Sequence, residues 1–353
     1  MKFSLKDTEE KKLLSLFNQQ EANLDYIFAL IDLFKINKSP LDKKTQERLA
    51  DKSDYEKKEA LFNKLETIYA NKSDFVKKNI KWETVVLNAD HFKNNPYLKV
   101  LNNLSFKEKG WMLSNEKKEA YTLCPYDEEY AYGSNYSLKM ALGMFSKDYI
   151  YPSLKLYDCE WMSLNQHEIR TMETPIALSK GKVLTLGLGL GYYAYMVSNK
   201  EEVKEVHVVE MDLELINLFN KYLLPLFPHK EKIHIHKADA FYFIESIKDK
   251  DYDFIFSDIW HNVSDGVLSY LKLKKKFNSF KYSKCTYWIE DSILSYLRLL
   301  VIGVIKDEYY SHENEYDDLQ KYIKERLRDY DFKNSDDIDS LLCLKGLNNL
   351  FFK

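Results

Sequence analysis

The chain has 353 residues, 45% of them apolar and 30% charged, enough for one large core or two smaller ones. Its formal charge of -3 gives no overall electrostatic case for a nucleic-acid partner. Cys124, Cys159, Cys285 and Cys343 lie far apart with no CxxC pair, so neither a zinc site nor a disulfide framework is suggested and no metal ligands are assigned.

The opening residues meet acidic positions at once and hold no apolar signal core, so a cytoplasmic chain is expected. Leu13, Leu14, Phe17, Leu24, Ile27, Phe28 and Ile31 recur at threes and fours, which predicts one buried face of a helix. Ser39-Pro40 breaks the pattern, and Ser53-Asp54 caps a helix predicted from Tyr55 to Ala70. Residues 1–148 are therefore expected to form a mainly helical N-terminal domain, although no steady period runs between Asn102 and Ile150. Tyr151 to Leu164 reads as a strand, a turn around Asp158 and a second strand. With the connector from Gln166 to Ile176 this hairpin fills residues 149–180.

From Lys182 strand and helix signals alternate. Strands are predicted at Val183–Leu186, Val206–Glu210, Lys232–His236, Asp253–Ser257 and Cys285–Ile289. Helices follow at Tyr192–Ser198, Leu213–Leu224, Ala240–Lys248, Gly266–Phe277 and from Ser292. Alternating units of this length predict an α/β fold, a doubly wound, mainly parallel Rossmann-like sheet over 181–310. The most apolar run, Ile293 to Ile305, is interrupted by Arg298 and too short to span a bilayer, so no membrane partner is expected. Residues 311–353 read as a helical C-terminal extension.

The first strand empties into Gly187, Gly189 and Gly191 at alternate positions, a turn in which glycine lets a ligand approach backbone. The other strands end in Glu210-Met211-Asp212, Asp239-Ala240, Asp258-Ile259-Trp260-His261 and Glu290-Asp291. In a parallel sheet these carboxyl ends converge on one crevice. An acid closing the second strand, some twenty residues past the glycines, suits ribose hydroxyls, which fits Glu210. The third glycine of the GxGxxG dinucleotide fingerprint would fall at Tyr192, which disfavours NAD.

These motifs resemble the class I S-adenosylmethionine-dependent methyltransferase fold, within it the spermidine-synthase-like branch. The likeness rests on Glu210-Met-Asp212 with its helix ending in Leu224-Pro225, on Asp239-Ala240-Phe241, on the run from Tyr252 to Asp258, and on the hairpin followed by Gln166-His167-Glu168. It covers roughly residues 150–291. The resemblance implies S-adenosyl-L-methionine as cofactor. Gly187, Gly189 and Gly191 would face its methionyl part, Glu210 its ribose, Met211 its adenine ring, and Asp239 with the Ala240 backbone its adenine edge. Asp258 would stand at the reacting centre.

The departures matter equally. Polyamine synthases carry an aspartate in the glycine loop, where Leu188 and Leu190 stand here, and a second aspartate three positions after the strand-four one, where His261 stands. Gln166 replaces the tyrosine of their Tyr-His-Glu. Methyl transfer to an acceptor that no motif identifies is the first expectation. Aminopropyl transfer from decarboxylated S-adenosylmethionine is the alternative, and a non-catalytic nucleotide-binding relative the third. His261 reads equally as a general base and as a surface-loop histidine, and Trp260 as a substrate wall or a core aromatic. His167 is a gate over the cofactor or part of a connector, Gln166 borders the acceptor pocket, and Glu290 lines its far wall. The sequence carries no sign of an oligomeric state.

Overall fold

A computed structural model describes residues 1–68, 80, 81, 83–102 and 104–352. The chain opens with β1 (Lys2–Phe3), α1 (Asp7–Phe34), α2 (Lys43–Leu49) and α3 (Asp54–Ile68). Ser53 and Glu56 cap α3 reciprocally: the Glu56 N–H donates to Ser53 Oγ at 3.3 Å, and the Ser53 N–H to Glu56 Oε2 at 3.0 Å. Residues 69 and 70, the end of that predicted helix, lie outside the described residues.

The buried face of α1 departs from the apolar pattern. Leu13 and Phe17 are buried as expected, but Leu24, Phe28 and Ile31 are exposed, and Gln20, Asn23, Tyr26, Leu30 and Leu33 face inward. Two polar residues take core positions with backbone partners, which satisfy Asn23 and the amide N–H of Gln20. Gln20 Nε2 donates to the Leu299 carbonyl at 2.9 Å. Asn23 donates to the Tyr136 carbonyl at 2.8 Å and accepts from the Leu138 N–H at 2.9 Å.

The helical expectation for residues 1–148 needs correction from Thr84 onward. After β2 (Thr84–Leu87), α4 (Ala89–Lys93) and α5 (Pro96–Leu101) come β3 (Phe106–Glu108), β4 (Trp111–Lys118), β5 (Leu123–Tyr132) and β6 (Ser137–Phe145). The pairs β3–β4 and β5–β6 are antiparallel, and a register shift between Pro125 and Glu129 interrupts the alternation that would have announced β5. The predicted hairpin forms as β7 (Tyr149–Leu156) and β8 (Cys159–Ser163), with Tyr157 and Asp158 at positive φ in its two-residue turn. The sheet order is β3-β4-β7-β8.

Next stand α6 (Gln166–Leu178), β9 (Gly181–Leu186), α7 (Tyr192–Ser198), β10 (Val203–Glu210) and α8 (Leu213–Leu218), the last continued by a π turn over Phe219–Leu223. Then come β11 (Ile233–Lys237), α9 (Ala240–Glu245), β12 (Phe254–Ser257), α10 (Val263–Phe277), β13 (Lys284–Tyr287) and α11 (Glu290–Tyr310). All four strand pairings are parallel, in the order β11-β10-β9-β12-β13. The order reverses between β9 and β12, which opens the crevice of a Rossmann-like α/β sheet there.

The C-terminal residues add α12 (Asp318–Leu327), β14 (Asp331–Phe332), α13 (Ser335–Leu342) and α14 (Leu344–Phe352). β14 pairs in parallel with β1, and Phe3 stacks on Phe332. One apolar core runs from Leu13 to Phe351 through sheet, N-terminal helix and C-terminal helices alike. Arg298, the interruption in the apolar run of α11, donates to the Leu342 carbonyl. Among the described residues, no helix is long and apolar enough to cross a membrane.

Candidate active site

The carboxyl ends of β9, β10, β11 and β12 open on a cavity of about 860 Å³, closed on its other side by β8 and the first turn of α6. That volume suits a nucleoside-sized ligand. Gly187 sits at φ +102°, and a Cβ there would lie 1.9 Å from the Asp258 carbonyl oxygen, so the β9 and β12 ends meet as only glycine allows. Gly189 also lines the cavity, and a Cβ on it would strike Met162 Sδ at 2.3 Å. Gly191 does not line it: at φ +77° it starts α7 against the Phe219 ring.

Most of the loop's donors are taken. The Gly187 N–H goes to the Val209 carbonyl at 2.9 Å and the Gly191 N–H to the Leu188 carbonyl at 2.8 Å. The Leu188 N–H reaches Glu210 Oε2 at 3.2 Å, and the Leu190 N–H reaches Met162 Sδ at 3.1 Å. Among the described residues this leaves Gly189 as the loop's free donor.

Glu210 ends β10 with its carboxylate buried. Oε1 accepts the Asp212 N–H at 2.8 Å while Oε2 holds Leu188, so the acid is oriented and keeps lone pairs for a ligand. Burial raises its pKa against the lowering effect of those N–H bonds. Met211 follows at 66% exposure on the cavity wall, an apolar surface held in solvent. Asp239 and Ala240, after the neighbouring strand β11, also line the cavity. Asp239 is also the N-cap of α9, its Oδ1 accepting the Tyr242 N–H at 2.9 Å.

Asp258 and Glu168 line the same cavity. Among the described residues neither carboxylate has a cation or a side-chain hydrogen bond. Burial pushes Asp258 up to about 7. Glu168 lies well above the carboxylate range through burial first, then the charges of Asp258 and Glu160. Asn165 sets Glu168 in place by capping α6, accepting the His167 and Glu168 N–H groups at 2.8 and 3.2 Å. Glu160 is held by Ser163 Oγ at 3.1 Å and Ser153 Oγ at 3.3 Å. Trp288 also lines the cavity, its Nε1–H donated to Thr171 Oγ1 at 2.9 Å. Desolvated acids without cations can share a proton or hold an incoming cation.

Trp260 is buried, lines the cavity and packs on Gly266, so it is a core aromatic and a wall at once. His261 is exposed at the rim, its Nδ1 3.2 Å from Asp265 Oδ2 and its ring edge-on to Trp161.

Besides Gly191, three expected positions do not line the cavity. Gln166 is 2% exposed and donates to the Pro125 carbonyl at 2.8 Å, tying α6 to β5. His167 packs behind Trp288, and burial takes it down to about 4, a neutral imidazole. Glu290 turns toward α10, where Oε1 accepts from Tyr270 at 2.8 Å and Lys274 at 2.7 Å. Glu160, Trp161 and Met162 on β8, and Trp288, line the cavity from outside the strand-end motifs. Glu168 reads from the sequence, like His167, as a gate over the cofactor or as part of a connector. Cap position is its available signal: the third residue after the Asn165 cap stands in the first turn of α6.

Seven carboxylates line the cavity (Glu160, Glu168, Glu210, Asp212, Glu214, Asp239 and Asp258), and no lysine or arginine does among the described residues. That lining fits a cationic sulfonium nucleoside: carboxylates that can accept from hydroxyls, an exposed apolar surface for a base, and acids that ionise in favour of a bound cation.

Residues 166–279 match the family described as the spermine/spermidine synthase domain. This segment is a spermidine-synthase-like domain of class I methyltransferase fold. No curated protein matches the chain. A spermidine synthase from Thermotoga maritima is similar at 18% identity over 38% of this chain and 45% of that chain, with a TM-score of 0.29. A probable spermidine synthase from Corynebacterium glutamicum is similar at 15% identity over 45% of this chain and 52% of that one, also with a TM-score of 0.29. A conserved hypothetical protein of Streptococcus pyogenes is similar at 15% identity over 31% of this chain and 68% of that one, with a TM-score of 0.25. The chain spans about half the length of the two synthases it matches.

Proposed function

We propose that this chain is a transferase that moves an alkyl group from an S-adenosyl sulfonium to an amine. The observation that carries the reading is the pair Asp258 and Glu168, two desolvated acids without cations in a cavity lined by carboxylates. When bound, S-adenosylmethionine supplies an electrophilic carbon on a positively charged sulfur. Glu210 would orient the ribose, Met211 lie on the base, and Asp239 with Ala240 read its edge. Asp258 holds the acceptor nitrogen and takes its proton, a role suited to a carboxyl pushed up to about 7. Glu168 balances the positive charge that develops on the nitrogen, and the walls of Trp260 and Trp288 limit water there.

Methyl is the group we favour. Where polyamine synthases place acids, Leu190 is fully buried and His261 stands at the rim beside Asp265. No acid at those two places awaits an aminopropyl ammonium. Aminopropyl transfer is a second reading, favoured by one observation. With four loop N–H groups engaged and, among the described residues, no lysine or arginine lining the cavity, donors are few for the carboxylate that the decarboxylated cofactor lacks.

Incubation with each labelled cofactor and a panel of amines separates the two. S-adenosylhomocysteine as product supports methyl transfer, and methylthioadenosine supports aminopropyl transfer. Calorimetry that detects binding of neither cofactor refutes both readings.

A further inference from the structure

Away from the cavity, β10 and β11 carry a second group of side chains with ligand chemistry. Parallel strands about 4.8 Å apart place register partners side by side on one face, and His207 of β10 is the partner of His234 of β11. Glu205, two residues before His207, points to the same face. His236 stands two residues after His234 and shares it. None of the four lines the cavity.

We propose that Glu205, His207 and His234 bind a divalent transition-metal ion of the zinc class. One ligand atom from each lies within 4.8 Å of the others, the one such group among the described residues. Tetrahedral zinc at about 2.0–2.1 Å from each ligand sets its ligand atoms roughly 3.3 Å apart. Rotation of the exposed His234 and of the Glu205 side chain closes that difference without moving a strand. Two imidazoles and one carboxylate select zinc, nickel, cobalt or copper over magnesium and calcium, which take oxygen ligands. Three protein ligands leave a fourth position for water.

The surroundings are organised around His207. Its Nδ1 lies 2.8 Å from His236 Nε2, and its Nε2 lies 3.1 Å from Glu205 Oε2. Donating Nδ1–H to His236 leaves the Nε2 lone pair directed at the Glu205 side, where the ion would sit. An outer partner on the second nitrogen is the usual way a ligating histidine is oriented. Tyr252 packs edge-on to His207, and Phe243 packs against His236.

One group opposes the ion. Lys182 of β9, the register partner of Glu205, lies 3.5 Å from Glu205 Oε2. From that same position its Nζ lies 5.3 Å from the Tyr252 ring centroid, so an ion on the carboxylate would have to displace the ammonium from Glu205.

Titration calorimetry of the full, tag-free chain with zinc chloride near neutral pH tests this. The expected result is about one equivalent bound, weakened about 10-fold or more in His234→Ala and tightened in Lys182→Met. Because His234 is exposed, its variant is expected to keep the metal-free melting temperature, so lost affinity is read separately from lost folding. Absence of saturable zinc binding overturns the proposal. Binding that survives both His234→Ala and Glu205→Gln also overturns it, since the ion would then sit elsewhere, at the exposed Cys159 or Cys343 for instance.

Discussion

Replacing Asp258 by asparagine is expected to make the protein more stable and less active together. In the folded chain this carboxyl titrates at about 7, against 3.8 in its ordinary state, because the cavity desolvates it. An acid raised on folding keeps its proton longer in the folded chain, so stability falls as pH rises through that window and stays low above it. At about 1.4 kcal/mol per pH unit, the charged carboxylate costs up to about 4 kcal/mol at pH 8. Asparagine carries no charge to desolvate but buries an amide, so about 2–4 kcal/mol returns. With an unfolding entropy of about 2.1 cal/mol/K per residue, that raises the melting temperature by about 3–5 °C. The assay is thermal unfolding of both proteins from pH 5 to 8. Glu128, Glu129 and Glu168 are raised by burial as well, so both curves slope, and their difference reads Asp258 together with the charge it places on Glu168. The gap is expected to open from pH 5 to 8, with transferase activity falling about 100-fold or more. A variant equal to or less stable than the parent at pH 8 refutes the desolvated carboxylate, and with it the chemical role assigned to Asp258.

Glu168→Gln is expected to lower kcat/KM for the amine by about 10-fold or more, with cofactor affinity nearly unchanged, as steady-state kinetics and calorimetry would read. Gly187→Ala combines positive φ with a Cβ 1.9 Å from the Asp258 carbonyl, so urea unfolding should register a loss above about 2 kcal/mol. Gln166→Ala removes a buried bond to the Pro125 carbonyl and should cost about 1–3 kcal/mol without changing KM for the cofactor. A raised KM would return Gln166 to the site.

The parallel sheet was readable because each of its units carries its own signal. Val206–Glu210 and Phe254–Ser257 are rich in β-branched or aromatic residues, the first ending in an acid and the second followed by one, and α7 begins where its residues predict. The face of α1 was not readable, because Gln20 and Asn23 are buried by bonds to Leu299, Tyr136 and Leu138, far along the chain. The same holds at the cavity. Glu210, Asp239 and Asp258 are strand-end acids, placed by local sequence and a general property of parallel sheets. Glu168 and Glu160 join them only because β8 and α6 fold across the strand ends. Glu290, equally a strand-end acid by sequence, turns away because Tyr270 and Lys274 of the neighbouring helix take its carboxylate.

By itself, then, the amino-acid sequence determined the order of strands and helices from Gly181 to Tyr310, the glycine turn, and the acids that end β10, β11 and β12. These follow from periodicity, backbone freedom and chain order, all of which act over a few residues. Tertiary structure alone decided which acids share one desolvated space, which histidines stand side by side on β10 and β11, and that residues 106–145 are strands. Those outcomes depend on pairings between distant segments, where register and burial set the result.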